Sequence, residues 1–155
     1  MAYVRYKEVT KHFNFTREID LKDIPSYILD YVYDDEVLLA GYRVGRDHGI
    51  VTTKKIVLFD NTISLKPKKE ITVIPYRSVT AHSVVFYSTS AKVYLLLESG
   101  YPVLLKFSNM DTEDKVRLRL LYNAMSAAIC GQNVPNKIIK KIINSDFEIK
   151  KDKED

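Results

Sequence analysis

The sequence predicts an α+β fold that is mainly β: a bent antiparallel sheet or barrel of about seven strands, capped by one C-terminal amphipathic helix. Short runs rich in Val, Ile, Thr, Tyr and Phe recur from residue 37 to residue 107, and turn residues separate them. A helical spacing of apolar residues follows at 112–130. Because the strand runs come first and the helix last, a parallel α/β sheet is not expected.

The β-rich runs are separated by residues that favour turns. Thr53-Lys54-Lys55 predicts a tight polar turn, and Asp60-Asn61 and Ser99-Gly100 are turn sequences as well. Pro75 lacks a backbone donor, so the chain can bend there from one sheet to another. The predicted strands are residues 37–44, 49–53, 55–60, 69–75, 78–87, 92–98 and 101–107.

The helix after the last strand has clear start and stop signals. Asp111 is a candidate N-cap, and Glu113 and Asp114 place negative charge in the first turn, where the helix dipole favours it. Gly131 follows the last apolar position, as is typical of a helix C-terminus. The predicted apolar face is Val116, Leu120, Leu121, Ala124, Met125, Ala128 and Ile129. This pattern predicts one amphipathic helix packed on the β-structure.

The two ends of the chain have weaker patterns. Residues 1–34 are predicted to be an extension with a short helix at 21–33. Its aromatic residues could cover part of the core, namely Tyr3, Tyr6, Phe13 and Phe15. After Pro135 an isoleucine stripe alternates with lysines in a pattern that predicts a short amphipathic helix, followed by a charged tail to residue 155. The stripe consists of Ile138, Ile139, Ile142 and Ile143.

Composition indicates a single folded domain. The chain has 155 residues, of which 46% are hydrophobic and 28% charged, far from the composition of disordered chains. Its single cysteine, Cys130, cannot form an internal disulfide, and we expect a buried thiol in a reducing compartment. No run approaches a secretory signal or the ~20 apolar residues of a membrane span. We therefore expect a cytoplasmic protein, with peripheral attachment to a membrane as the alternative.

The residue patterns of common catalytic and metal sites are not found. The three histidines, His12, His48 and His82, are far apart in sequence and belong to no metal-binding motif. His82-Ser83 has no Gly-x-Ser-x-Gly context that would indicate a nucleophile. We therefore expect no catalytic residue, no metal ligand and no cofactor.

Three glycines recur every four residues, at Gly41, Gly45 and Gly49, but no Gly-Lys-Ser/Thr follows them to bind phosphates. They are interpreted as turn and close-packing glycines of twisted strands.

Three segments carry a family resemblance. Residues 35–44 place an acidic pair before a strand, and 49–60 hold a Thr-Lys-Lys hairpin turn. Residues 69–79 run from a strand into an Ile-Pro-Tyr-Arg-Ser-Val corner. Together they resemble the bacterial pleckstrin-homology (PH-like) group over about residues 35–130. The resemblance implies a PH-like domain at 35–131, preceded by the extension 1–34 and followed by the helix and tail at 132–155.

The resemblance also implies a binding module. Eukaryotic PH domains bind phosphoinositide headgroups through basic residues near the first hairpin, or bind proteins on a strand edge or helix face, whereas bacterial members tend to form ring-like homo-oligomers. The residues that correspond to such anion or lipid contacts are Arg43, Arg46, Lys54 and Lys55.

The leading functional hypothesis is a non-catalytic module for protein–protein interaction or homo-oligomeric assembly, with the isoleucine stripe 138–143 as the assembly surface. The alternative is weak peripheral binding to anionic membrane lipids through the basic loops and the Ile/Lys helix. The basic residues outnumber the acidic ones between residues 43 and 82, but the net charge of the chain is only +4. Nucleic acid is therefore not an expected partner.

Overall fold

A computed structural model of the chain describes residues 11–62 and 68–144. Two sheets and one long helix enclose the main core. The strands are β1 Lys11–Phe15, β2 Arg17–Ile19, β3 Leu38–Val44, β4 Asp47–Thr52, β5 Lys55–Thr62, β6 Lys68–Pro75, β7 Val79–Phe86, β8 Ala91–Leu97 and β9 Pro102–Phe107. The helices are α1 Ser26–Leu29, α2 Thr112–Ile129 and α3, residues 136–144, with 3₁₀ turns at Leu21–Asp23 and Tyr76–Ser78. The α+β fold and its strand-then-helix order are confirmed.

The strands form a five-stranded sheet, β2-β3-β4-β5-β6, and a four-stranded sheet, β1-β9-β8-β7. The predicted strands correspond to β3 to β9, and wherever two of these seven strands are neighbours they pair antiparallel. One predicted turn is wrong: Asp60-Asn61 lies inside β5, opposite Glu70 and Lys69. Asn61 stays in the strand because its N–H donates to the Asp47 carboxylate (2.8 Å).

The N-terminal part contributes two strands that the sequence did not predict. β1 pairs parallel with β9, and β2 pairs antiparallel with β3. Between them the chain crosses from one sheet to the other, where Thr16 N–H donates to the Arg43 carbonyl (3.1 Å). Phe13 and Phe15 are buried in the main core. The predicted boundary between residues 34 and 35 therefore falls inside the folded unit, and Tyr3 and Tyr6 lie outside the described residues.

The segment between β2 and β3 covers the outer face of the five-stranded sheet, the face turned away from the main core. It forms a 3₁₀ turn and the single turn of α1 in place of a continuous helix at 21–33. Ile24 and Ile28 are buried there against Ile50, Val57 and Phe59 of the sheet. Gly41 lies under Ile24, where a Cβ atom would come within 2.7 Å of the Ile24 side chain. A second, smaller apolar cluster thus lies outside the main core.

Helix α2 closes the main core as predicted. The Asp111 side chain accepts a hydrogen bond from Asp114 N–H (2.8 Å), and the Asp114 side chain accepts one from Asp111 N–H (3.1 Å), which completes a capping box. The buried positions are Leu118, Leu121, Ala124 and Met125, whereas Val116, predicted on the apolar face, is 48% exposed. Cys130 is exposed at the end of α2, so the expected buried thiol is not found. None of the helices within the described ranges could span a membrane.

Helix α3 packs on its own domain. Ile142 is buried in the main core, and Ile138 and Ile139 are partly buried against it. Ile143 alone of the stripe keeps a substantial exposure, 38%. Most of the stripe that the sequence suggests as an assembly surface thus packs on its own domain. Ile142 is therefore not available as part of an assembly surface, and the predicted charged tail lies beyond the described residues.

A buried ion pair fixes the start of β3 to the turn between β4 and β5. Lys55 Nζ lies 2.8 Å from Glu36 Oε1, and the two side chains are 8% and 1% exposed. Glu36 also accepts hydrogen bonds from the Thr52 hydroxyl (3.1 Å) and Tyr33 N–H (2.8 Å). The Lys55 ammonium lies 3.4 Å from the centre of the Tyr33 ring. The hydrogen bonds and the ring offset the cost of removing two charges from water.

Because Phe15 of β1 is buried in the main core, Phe15→Ala should lower the free energy of unfolding by about 3–5 kcal/mol, as large-to-small core changes do. Phe15 is 2% exposed, and its ring packs against Tyr42 and Phe107. Denaturant titration measures the change. The control is Tyr94→Ala, an aromatic residue 41% exposed on β8, which should cost much less. Equal losses in the two variants would contradict a structural role for β1.

Glu36→Gln should destabilise the domain by about 3–5 kcal/mol, because it leaves the buried Lys55 ammonium without its counter-charge. The neighbouring pair supplies a matched control: Asp35 and Lys54 contact at 2.7 Å, but their side chains are 67% and 55% exposed. Asp35→Asn should leave the unfolding midpoint close to that of the wild type. Thermal unfolding of both variants checks this, and a greater loss in Asp35→Asn would refute the importance of the buried pair.

Candidate anion-binding site

A basic pocket of about 400 Å³ opens on the outer face of the five-stranded sheet, at the end where β3 turns into β4. Strands β3, β4, β5 and β6, the β3–β4 turn and helix α1 all contribute to it. Its lining residues are Tyr27, Arg43, Gly45, Arg46, His48, Asn61 and Lys69.

Strand register brings the polar residues of the pocket together. Arg43 is opposite His48, and His48 is opposite Phe59. Cross-strand partners project from the same face of a sheet, so Arg43 and His48 share the face on which Phe59 is covered by α1. Tyr27 of α1 packs edge-on against Phe59, with ring centres 6.1 Å apart, and is 48% exposed. Basic residues therefore lie next to the partly exposed rim of the smaller apolar cluster.

The β3–β4 turn is held in place by β5. Gly45 has a φ of +55°, which favours glycine, so the tight turn depends on this residue. The Asn61 side-chain amide donates to the Arg46 carbonyl (2.8 Å), and His48 Nδ1 lies 3.2 Å from the same oxygen. The backbone of Arg46 is thus tethered while its side chain lines the pocket. Such a tether reduces the ordering cost of binding a ligand.

The charged side chains that line the pocket are all basic. Between the residues that the structure describes, no salt bridge engages Arg43, Arg46 or Lys69. Burial lowers the pKa of His48 from its ordinary value, and the Arg43 charge acts in the same direction against the Arg46 carbonyl. His48 is therefore mostly neutral near pH 7, and a bound anion would favour its protonated form.

The structure separates the four residues that the sequence suggested for anion contact. Arg43 and Arg46 meet in the pocket, whereas Lys54 and Lys55 lie at the opposite end of the sheet, at the β4–β5 turn. Lys54 is paired with Asp35 (2.7 Å), and Lys55 is buried against Glu36. Successive hairpin turns lie at opposite ends of a sheet, so residues of the first and second turns cannot converge. Lys55 in particular is buried and stabilises the fold through its ion pair with Glu36.

Sequence reasoning missed four members of the pocket, namely Tyr27, His48, Asn61 and Lys69, as ligand contacts. Lys69 belonged to the recognised basic excess, but its place beside Arg46 depends on the Asn61–Lys69 register of β5 and β6. The sequence predicts a turn at Asp60-Asn61 and ends the strand there, so it does not predict the pairing of Asn61 with Lys69. The only available signal was the local excess of Lys and Arg.

The remaining histidine whose side chain is described has a structural environment. His82 Nδ1 lies 2.6 Å from the Tyr122 hydroxyl and joins β7 to α2. The next residue, Ser83, is opposite Tyr94 of β8, so the two neighbours lie on opposite faces of the sheet. Within the described ranges no three His, Cys, Asp or Glu residues form a group that could hold a metal ion.

Comparisons with known proteins agree with this fold. The family model of the bacterial PH domain matches residues 9–91. The crystal structure of a DUF1696 family protein with a pleckstrin-homology domain from Shewanella loihica PV-4 is similar at 21% sequence identity and a TM-score of 0.57, over 76% of this chain and 98% of that one. No curated protein matches the chain.

A pleckstrin-homology domain from Shewanella amazonensis SB2B is similar at 20% identity and a TM-score of 0.50, over 71% of this chain and 89% of that one. At these identities the two structures support the fold alone. The family match starts beside β1 and extends through β7, over more than half of the chain. The chain therefore belongs to the bacterial PH domain family.

Proposed function

We propose that this PH-like domain is a non-catalytic binding module that takes a phosphate-bearing anionic ligand in the basic pocket, as a peripheral binder of anionic membrane lipids. The supporting observation is the convergence of Arg43, Arg46 and Lys69 around one pocket, with no salt bridge to another described residue. Guanidinium and ammonium groups are the protein's natural phosphate partners.

The surroundings of the pocket favour a lipid surface over a soluble phosphate. Ile71 and Val73 of β6 are 42% and 46% exposed, and they are opposite Phe59 and Val57 on the same outer face. With Tyr27 they form an apolar rim beside the cations. An interfacial site combines basic residues, which attract the anionic surface, with apolar and aromatic residues, which enter the headgroup region.

A second candidate function is protein–protein interaction through β6. This strand lies at the end of the five-stranded sheet and carries the exposed side chains of Ile71 and Val73. Among the described strands only β5 pairs with β6, and an apolar strand edge of this kind is a template for a strand from another chain. This edge supports the interaction hypothesis in place of the isoleucine stripe, most of which packs on its own domain.

Replacing both pocket arginines, Arg43→Gln with Arg46→Gln, should weaken binding to phosphatidylcholine vesicles that contain phosphatidylglycerol. Each basic residue near an anionic surface contributes about 1 kcal/mol, so the double variant should lose roughly 25-fold in affinity at low salt. Co-sedimentation at low and physiological salt measures the loss. Inorganic pyrophosphate, tested as a competitor, separates a free phosphate ligand from the lipid surface.

The matched control is Arg77→Gln, a single exposed arginine at the opposite end of the sheet, beside Pro75 and Tyr76. It should bind the same vesicles almost as the wild type does. Equal binding to pure phosphatidylcholine vesicles, or equal losses in the control and the pocket variant, would refute the pocket proposal.

Binding should tighten as the pH falls from about 7.5 towards 5.5. His48 has a lowered pKa in the free protein, and a nearby anion stabilises its protonated form, so binding takes up a proton. His48→Gln should abolish most of this pH dependence while leaving the affinity at pH 7.5 within a few-fold of the wild type. A pH profile unchanged in the variant would show that another group titrates.

A further inference from the structure

A second pocket lies between the two sheets, where the chain crosses from β1 to β2. It has a volume of about 300 Å³, and the crossover, strand β3, the loop after β9 and the first turns of α2 enclose it. We call it the crossover pocket. It shares none of its lining residues with the basic pocket of the outer face, so the two are separate sites.

The alternation of side chains along β2 determines which of them face the crossover pocket. Glu18 is opposite Tyr42 of β3, which belongs to the main core, so both side chains lie on the inner face of the sheet. Ile19 packs in the smaller outer cluster, and Arg17 shares its outward direction. Asp20 follows with an extended backbone and therefore faces inward again, as Glu18 does.

The charged side chains that face the crossover pocket are mostly acidic. Glu18 and Asp20 come from β2 and its end, and Asp114 comes from the first turn of α2. Arg117, one helical turn later, is the basic side chain among them, and it forms an ion pair with Glu18. Lys22, outside the lining, lies 3.7 Å from Asp20 and is 74% exposed. This acidic excess favours a cationic ligand over an anionic one.

The hydroxyl of Tyr42 provides an independent indication of a ligand. Tyr42 is 6% exposed, and its ring packs against Phe15 and Phe107. Among the described residues the buried Tyr76 hydroxyl has a hydrogen-bond partner, whereas the Tyr42 hydroxyl has none. Burial, followed by the charge of Glu18, raises the pKa of Tyr42 well above its ordinary value, so the hydroxyl keeps its proton. A buried hydroxyl without a partner is costly, and a ligand in the pocket would supply the missing hydrogen bond.

We propose that the crossover pocket binds a small aliphatic diamine, with its ammonium groups at the carboxylates of Glu18, Asp20 and Asp114. Within the described ranges no three acidic or other metal-ligating side chains form a group that could hold a metal ion, so these carboxylates do not converge on one point. A ligand with two separated charges fits them better than a single ion does.

The rest of the pocket suits the remaining parts of a diamine. Phe15, Phe107 and Met110 form an apolar floor on which a methylene chain can lie. An ammonium group has three donors, and the Tyr42 hydroxyl can accept one of them. Asp114 uses Oδ2 in the capping box, which leaves Oδ1 to accept a further hydrogen bond. This site goes beyond the anion-binding function and does not depend on it.

Calorimetric titration of the full chain with putrescine is the direct test. Putrescine should bind with a dissociation constant below about 1 mM, and its uncharged diol analogue should bind at least roughly tenfold more weakly, because hydrogen bonds to charged groups are the stronger ones. Putrescine binding no tighter than about 1 mM, or equal binding of the diol, would overturn the proposal.

Tyr42→Phe removes the hydroxyl and keeps the ring. Without ligand, its unfolding midpoint should equal or exceed that of the wild type, whereas its affinity for putrescine should fall roughly tenfold. The matched control, Tyr94→Phe, removes a hydroxyl from a side chain that is 41% exposed on β8, and it should bind putrescine as the wild type does. A lower midpoint of ligand-free Tyr42→Phe, or unchanged putrescine affinity, would overturn the role of this hydroxyl and with it the site.

Asp20→Asn tests the charge of the pocket. It should weaken putrescine binding roughly tenfold, and thermal unfolding checks that the variant is folded. The control is Asp30→Asn, which removes the same charge from an exposed residue outside the pocket. Equal losses in the two variants would show general attraction of a cation and would refute a specific site. Asp20→Asn should bind anionic vesicles as the wild type does, so this proposal and the proposed anion-binding function can fail separately.

Discussion

The corner that ends the five-stranded sheet determines which surfaces this domain leaves open. Pro75 has no N–H, and Tyr76 N–H makes the last bond to the sheet, with the Lys54 carbonyl. The buried Tyr76 hydroxyl donates to the Thr52 carbonyl (2.7 Å), and the Ser78 hydroxyl donates to the Pro75 carbonyl (2.7 Å). These contacts turn the chain into the second sheet. Strand β6 is left at the sheet edge as a result, and both the basic pocket and the apolar strand edge include it.

The outer face shows why the pocket and the edge lie together. The segment before β3 covers the middle strands by burying Ile24 and Ile28, but Ile71 and Val73 on β6 stay exposed. The apolar cluster is therefore open at its β6 side, and the basic residues of the β3–β4 end lie beside that opening. An interface that has an apolar centre and a charged rim is typical of binding surfaces.

The fold was more predictable than the site because the two depend on different kinds of information. Strands β3 to β9 and helix α2 have local signals: β-rich runs, turn residues and an N-cap followed by acidic residues. Strand β1 pairs with β9, far away in the sequence, and β2 has three residues, so no local pattern marks either. Residue type alone does not distinguish Lys54 from Lys55. Only the fold shows that one lies in the turn and the other begins a strand with its ammonium group buried.

The distribution of paired and unpaired charges gives the domain an electrostatic direction that the net charge of +4 does not reveal. At the β4–β5 end, Asp35 and Glu36 neutralise Lys54 and Lys55. At the β3–β4 end, the cations of the pocket have no such partners among the described residues. An anionic surface would therefore attract the β3–β4 end of the sheet and orient the domain before contact. The acidic pair before β3 thus stabilises the fold and neutralises the two lysines at that end of the sheet.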